Sequence, residues 1–249
     1  MATRLAQLVI DAAEPGQLAR FWAAALGWEI AAEEPDEVDV WPHGFSYPGP
    51  AALPLVFVPV PEPKTGKNRV HLDLATASAA HQAAEVERLL ALGAVPADVG
   101  QGDVPWQVLA DPEGNEFCVL DPRPVYRGIG PVAAVVADCA DPLAVADFWQ
   151  LATGWVPADS AGGVVSLRSP QESGPYLELL PSVDVKAVKN RIHLDVAPYL
   201  GEDHAAAVRA LLDAGATPAD VGQGHVSWTV LADPGGSEFC VLSPRGSPP

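Results

Sequence analysis

The chain has 249 residues, 49% of them apolar and 18% charged, which supplies packed cores and excludes bulk disorder. Its formal charge of −18 excludes nucleic acid and anionic membrane as partners, because both require stripes of Lys and Arg. Apolar stretches such as Ala133 to Ala137 are far too short to span a bilayer, and three cysteines are too few and too odd for a disulfide framework. Glu14 and Pro15 arrive before a secretory leader could form, so the expectation is a soluble, cytoplasmic protein.

In chain order, Leu5 to Ile10 reads as a strand and Asp11 stands where a helix cap would. Pro15 falls in the first helical turn, Leu18, Phe21, Trp22 and Ala25 keep helical spacing, and Gly27 ends the helix. Trp22, like Trp149 later in the chain, is expected in the core. Short strands follow near Trp28 to Ala31, Val38 to Trp41 and Leu53 to Val60. The cycle then restarts with a strand over Arg69 to Leu74 and a helix from about Ala79 to Leu92, stopped by Gly93. Closing strands are expected at Val95 to Val99, Trp106 to Ala110 and Glu116 to Leu120, the last two joined by an Asp111-Pro112-Glu113-Gly114 turn.

After a linker over Asp121 to Gly130, the whole order returns. Lys67 to Asp73 reappears as Lys189 to Asp195, a shift of 122 residues from His71 to His193. Ala97 to Gly102 returns unchanged as Ala219 to Gly224, and Glu116 to Leu120 as Glu238 to Leu242. Phe21-Trp22 returns as Phe148-Trp149 at a shift of 127, so copy one carries a longer loop around Trp41 to Leu53. Two domains follow, 1–124 and 128–245, each of two strand-helix-strand-strand-strand modules in an α+β fold.

The strand around His71 has two chemically distinct faces. At a period of two, Lys67, Arg69, His71 and Asp73 share one face, and Val70, Leu72 and Leu74 the other. Copy two keeps the division, with Arg191, His193 and Asp195 against Ile192, Leu194 and Val196. Such a row of cation, imidazole and carboxylate can hold a ligand through Arg69 or Arg191, or move a proton through His71–Asp73 or His193–Asp195. It can equally be a salt-bridged strand. Trp106 and Trp228 follow a Gly-Gln-Gly loop, where each can wall a cleft and stack on a flat ligand, or pack in the core. Trp41, Phe45 and Tyr47 in the longer loop form either a lid or a loop packed on its own domain.

Phe-Trp and Leu-Gly-Trp on a helix, then His-Leu-Asp, then Asp-Pro-Glu-Gly-Asn-Glu-Phe resemble the glyoxalase/bleomycin-resistance family, the vicinal oxygen chelate superfamily, in its glyoxalase-like domain branch. The resemblance covers nearly the whole chain. It implies paired βαβββ modules whose curved sheets enclose an open cleft, where ligands bind, often against a divalent metal. On that resemblance His71 and His193 match a metal-ligand position. The first-strand position falls on Gln7 in copy one and Ala134 in copy two. The fourth-strand position lies near Val58 or Val56 in copy one, and near Leu180 or Glu178 in copy two. The last-strand position, usually Glu, falls on Cys118 and Cys240.

Clefts within each copy would unite Gln7, His71 and Cys118, and Ala134, Glu178, His193 and Cys240. Crossed clefts would instead unite Gln7 with His193 and Cys240, and Glu178 with His71 and Cys118. Neither gives the usual set, so the divalent metal that the resemblance implies has an incomplete set of ligands. Three functions compete, in this order. The first is a binder that sequesters or carries a small aromatic metabolite or antibiotic. The second is a metal-assisted or His/Asp acid-base lyase, isomerase or ring-opening enzyme. The third is a scaffold with degenerate sites. A small-molecule ligand is the expected partner, and the chain a monomer or homodimer.

Overall fold

The computed structural model describes residues 3–47, 49, 53–158 and 162–246. It contains four βαβββ modules in succession. The first comprises β1 (Arg4–Ala12), α1 (Pro15–Leu26), β2 (Glu29–Glu33), β3 (Val38–Trp41) and β4 (Leu55–Pro59). The second comprises β5 (Val70–Leu74), α2 (Ala79–Leu92), β6 (Val95–Pro96), β7 (Gln107–Ala110) and β8 (Glu116–Val119). After a 3-10 turn at Pro124–Tyr126 comes the third, with β9 (Val132–Cys139), α3 (Pro142–Thr153), β10 (Val156–Ala158), β11 (Val165–Arg168) and β12 (Tyr176–Pro181). The last holds β13 (Ile192–Ala197), α4 (His204–Asp213), β14 (Thr217–Pro218), β15 (Thr229–Ala232) and β16 (Glu238–Val241).

These strands form two open, mixed sheets of eight, and each sheet takes one module from each copy. The first sheet runs β14-β15-β16-β13-β1-β4-β3-β2, and the second β10-β11-β12-β9-β5-β8-β7-β6. At the centre of each, strands from different copies meet antiparallel. Val9 lies opposite His193 on β1 and β13, and His71 opposite Val136 on β5 and β9. The alternative left open by the sequence is thereby settled in favour of crossed pairing. Among the described residues, no helix is long and apolar enough to cross a membrane.

One continuous core lies between the sheets, drawing on Leu8, Leu72, Val135 and Leu194 as well as the helices. Alternation explains this: the residues flanking His71 and His193 on their strands must point the other way. Trp22 and Trp149 are 2% and 3% exposed, so the helical tryptophans are core residues. Each also joins the two modules of its own copy. Trp22 packs on Phe117, with centroids 5.1 Å apart, and its Nε1 donates to Asp111 Oδ2 at 3.1 Å. Trp149 repeats this with Phe239 at 5.4 Å and Asp233 at 3.0 Å. The recurring Phe-Trp and Asp-Pro motifs are thus two sides of one buried joint. Burial pushes both Asp111 and Asp233 up, and their hydrogen bonds pull against it.

Several details depart from the sequence expectations. The strand expected over Val95 to Val99 covers only Val95–Pro96, and the one expected at Trp28 to Ala31 covers Glu29–Glu33. Asp11, expected as a helix cap, belongs to β1 and pairs with Lys189. The residue before α1 is Glu14, whose side chain makes no cap bond, and Gly27 closes the helix at φ 66° in the left-handed region that favours glycine.

Candidate functional site

Strand register places the chemistry. On the outward face of the second sheet, Glu178, Val136 and His71 form one row across β12, β9 and β5. The neighbouring row runs Tyr176, Ala134, Asp73, Cys118 and Val108. The first sheet carries the counterpart rows, Asp39–Val56–Val9–His193 and Gln7–Asp195–Cys240–Val230. Crossed pairing therefore unites Glu178 with His71, Asp73 and Cys118. It unites Gln7 with His193, Asp195 and Cys240.

In the second sheet, His71 Nε2 stands 3.4 Å from Asp73 Oδ1, with 14% and 10% of the two side chains exposed. Asp73 Oδ1 is buried and has no hydrogen-bond partner among the described residues. Burial and the adjacent Asp73 carboxylate push the Cys118 thiol far up, so it holds its proton. Over this floor lies the linker. Tyr126, from the 3-10 turn, donates its hydroxyl to Glu178 Oε1 at 2.6 Å, and its ring meets Tyr176 edge-on at 5.7 Å. Burial pushes Glu178 up, and Asp73 adds to this while the Tyr126 hydrogen bond, Arg123 and His71 oppose it. Trp106 is half-buried against this cluster, and the Arg123 guanidinium lies 5.5 Å from its ring centre. Arg168 donates to the Tyr176 hydroxyl at 3.0 Å from the other side.

The first sheet repeats the plan with different residues. His193 Nε2 is 3.3 Å from Asp195 Oδ1 and 3.6 Å from Cys240 Sγ. Asp195 also accepts from the Cys240 amide at 3.1 Å and from Gln7 Nε2 at 3.2 Å. Burial and Asp195 push the Cys240 thiol far up. Where the second sheet has Glu178, this one has Val56, buried at 3% exposure. Arg4 lies 3.6 Å from the Tyr199 ring centre and 5.1 Å from that of Tyr47, so the longer loop of copy one sends Tyr47 over this face. Trp41 packs edge-on against Phe45 at 5.5 Å, and Trp228 is 39% exposed.

The arginines of the repeated motif take another course. Arg69 donates at 2.7 Å to the backbone carbonyls of Asp184 and of Asp138. Arg191 does the same to Glu62 and Asp11, also at 2.7 Å. Both clamp the edge of the module to which their strand is paired. Tyr126, Tyr176, Arg123 and Asp39 were not singled out in the sequence. A signal for Arg123 was available, because Pro122-Arg123 returns as Pro244-Arg245 at the same shift of 122 residues. Arg245 reaches Gln7 Oε1 at 3.4 Å.

For a divalent metal, the donors present are one atom each from His71, Asp73 and Cys118, or from His193, Asp195 and Cys240, all within 4.8 Å of one another in each set. Imidazole, carboxylate and sulfur suit a zinc-like ion. The His71 set fits better: among the described residues Asp73 Oδ1 accepts no hydrogen bond, whereas both Asp195 oxygens already do. Glu178 lies on the same face as the His71 set but stands outside it, and on the other sheet Gln7 reaches Asp195 through its amide at 3.2 Å.

The family called Glyoxalase-like domain matches residues 7–120 and again 134–242. Among solved structures, glyoxalase I from Zea mays superimposes with a TM-score of 0.66 at 14% identity, covering 97% of this chain and 92% of that one. A protein described as a putative dioxygenase from Bacillus subtilis subsp. subtilis str. 168 gives 0.62 at 13% identity, covering 99% and 86%. At such identities the likeness concerns the fold. No curated protein matches the chain.

Proposed function

Because the chain belongs to the Glyoxalase-like domain family, we propose that it binds a small hydroxylated aromatic molecule on the outward face of its second sheet. One observation carries this reading: Tyr126 sets a phenol hydroxyl on the half-buried Glu178 carboxylate at 2.6 Å, with its ring edge-on to Tyr176. The chain's own phenol thereby marks the chemistry the floor accepts, a flat ring with one donor. A ligand of this kind displaces Tyr126, gives its hydroxyl to Glu178 and lies between Tyr176 and Trp106. His71 and Asp73 then face its second polar substituent. Sequestration or carriage needs no more than this. The first sheet, with Val56 in place of Glu178, lacks the acceptor.

Calorimetric titration with a panel of phenols, catechols and naphthols tests the reading. The expected result is saturable one-to-one binding, several-fold tighter in Tyr126→Phe, which loses the competing hydroxyl, and at least tenfold weaker in Glu178→Gln. If no panel member binds either the wild type or Tyr126→Phe, or if Glu178→Gln leaves affinity unchanged, the reading fails.

A second reading is favoured by the three-donor set at His71, Asp73 and Cys118. In a metal-assisted lyase, isomerase or ring-opening enzyme, these residues would hold the ion, which would polarise a substrate oxygen. Glu178 would then be the nearby carboxyl able to exchange a proton. Metal content of protein purified without added metal decides between the two. A stoichiometric ion lost in His71→Ala but kept in His193→Ala would replace the metal-free reading with this one.

A further inference from the structure

A cavity of about 620 Å³ opens between the two sheets, separate from both outward faces. Its floor includes Leu8, Leu55, Leu72 and Val135, each no more than 2% exposed. Leu72 lies between His71 and Asp73 on β5, and Leu8 follows Gln7 on β1, so the cavity is on the side opposite the polar floors. Phe45, from the longer loop of copy one, forms part of the wall, and Arg127 of the linker and Arg168 of β11 line it as well.

Three features distinguish this space from a packing defect. Close-packed interiors leave few voids larger than a water molecule, whereas about 620 Å³ falls within the range of small-molecule sites. The chain has 32 acidic residues against 14 Lys and Arg, yet among the described residues neither Arg127 nor Arg168 forms an ion pair. Arg168 is committed to the Tyr176 hydroxyl at 3.0 Å, which leaves Arg127, among the described residues, as the free cation of the wall. The wall also breaks the twofold repeat, since Phe45 comes from the loop that only copy one has. Glu172 and His43 reach the cavity too, both exposed; Glu172 sits on a turn at φ 53°, and His43 is held by Glu29 at 3.1 Å.

We infer that this cavity is a second ligand site and takes an amphipathic organic anion. The anionic head is a carboxylate or sulfonate at Arg127, at the mouth of the cavity. The apolar body is a chain or fused ring of roughly ten carbons, lying over Leu8, Leu72 and Phe45. The Arg127 guanidinium, without an ion pair among the described residues and set at the rim of an apolar floor, favours such a molecule over a neutral alcohol of the same length, because only the anion gains charge-assisted hydrogen bonds.

The test uses the full chain, 1-anilinonaphthalene-8-sulfonate as fluorescent probe, and decanoate and decanol as competitors. Saturable one-to-one probe binding is expected, displaced by decanoate at no more than one tenth of the decanol concentration. Arg127→Glu, an exposed position where folding is not at risk, should weaken the probe at least fivefold, and Phe45→Ala should weaken it as well. Glu178→Gln, which disables the phenol site, should leave it unchanged. Equal displacement by decanol overturns the anionic assignment. Probe affinity unaffected by both Arg127→Glu and Phe45→Ala, or abolished by Glu178→Gln, overturns the site itself. Phenol binding is read through Glu178, so that reading stands or fails separately.

Discussion

Asp39 shows how the two outward faces differ in what they ask of a single carboxyl. It stands at the end of the row that leads to His193, and its Oδ1 is buried without a hydrogen-bond partner among the described residues. Burial pushes it up to about 6 from the usual 3.8, Glu37 adds to the shift and Arg245 opposes it. The folded state therefore binds this proton more tightly than the unfolded chain, so this group lowers stability as pH rises from about 4 to 6. Asp39→Asn removes the loss. At pH 7 it should stabilise by roughly 1 kcal/mol, a figure already reduced for the group's partial exposure. Denaturant melts at pH 4 and pH 7 check this: the gain should vanish at pH 4, and an equal gain at both would refute the titration argument. The same scale shows what a repeated motif conceals. Within Lys67 to Asp73, the lysine pairs with Asp138 at 2.7 Å, Asn68 donates to Asn115 at 3.0 Å and Arg69 clamps two carbonyls. Only His71 and Asp73 are left for the floor. Alternation identified the polar face correctly, but it cannot separate a guanidinium that clamps backbone from one that awaits a ligand. Tyr126 is not legible in the sequence because its partner, Glu178, is 52 residues away and reaches it only through crossed pairing.

At the scale of elements, the two copies solve the same capping problem in different ways. The amides of Ala13 and Glu14, at the start of α1, both donate at 2.8 Å to the carboxylate of Glu113 in the distant Asp-Pro turn. Glu113 also pairs with Arg191 at 3.3 Å, so one side chain ties α1, the β7–β8 turn and β13 together. In copy two, α3 is capped by its own Asp141, which accepts from the Ala144 amide at 3.1 Å. The position equivalent to Glu113 is Gly235, where a Cβ would lie 3.0 Å from Val145 Cγ2 and 3.4 Å from Cys139 Cβ. The helix that caps itself thus has a crowded turn, and the helix that does not is served by the turn's glutamate. Glu113→Ala should cost about 1–2 kcal/mol, at the upper end for a cap because the Arg191 pair goes too. Asp141→Ala should cost about 1 kcal/mol. Urea melts of both variants measure this, and a Glu113→Ala loss smaller than that of Asp141→Ala would refute the tie. Strand and helix order was legible in the sequence because Pro15, Gly27 and Gly93 punctuate it. The cap was not: Asp11 has the right chemistry at nearly the right place, but its backbone is claimed by pairing with Val58 of β4 and by donation to the Arg191 carbonyl.

At the scale of the whole molecule, crossed pairing follows from a short connection and dictates what each copy can do alone. Val70 to Leu74 and Ile192 to Ala197 carry the same pattern, so neither strand's sequence says whether β1 or β9 is its neighbour. The linker decides. It leaves β8, makes one 3-10 turn at Pro124–Tyr126 and enters β9 at Val132, on the other side of β5 in the same sheet. Short connections keep successive strands close, so β9 joins the second sheet, and β13 is left to complete the first beside β1. A copy cut at the linker would then expose β1 and β5, two apolar strands with unpaired edges and half of each polar floor. Such edges recruit another chain. Residues 1–124 alone should therefore form a homodimer at micromolar concentration, β1 of one chain pairing with β5 of the other as β1 pairs with β13 in the intact molecule. That dimer would bring His71, Asp73, Cys118 and Gln7 together twice, and Glu178 not at all, so by the phenol reading it should bind no phenol. Co-expression with residues 125–249 should restore a heterodimer that does. Light scattering on the eluting species gives the mass. A cooperatively folded monomer of 1–124 would mean that β1 and β5 can pair within one copy, and the crossed arrangement would then be one of two accessible folds rather than the one the linker imposes.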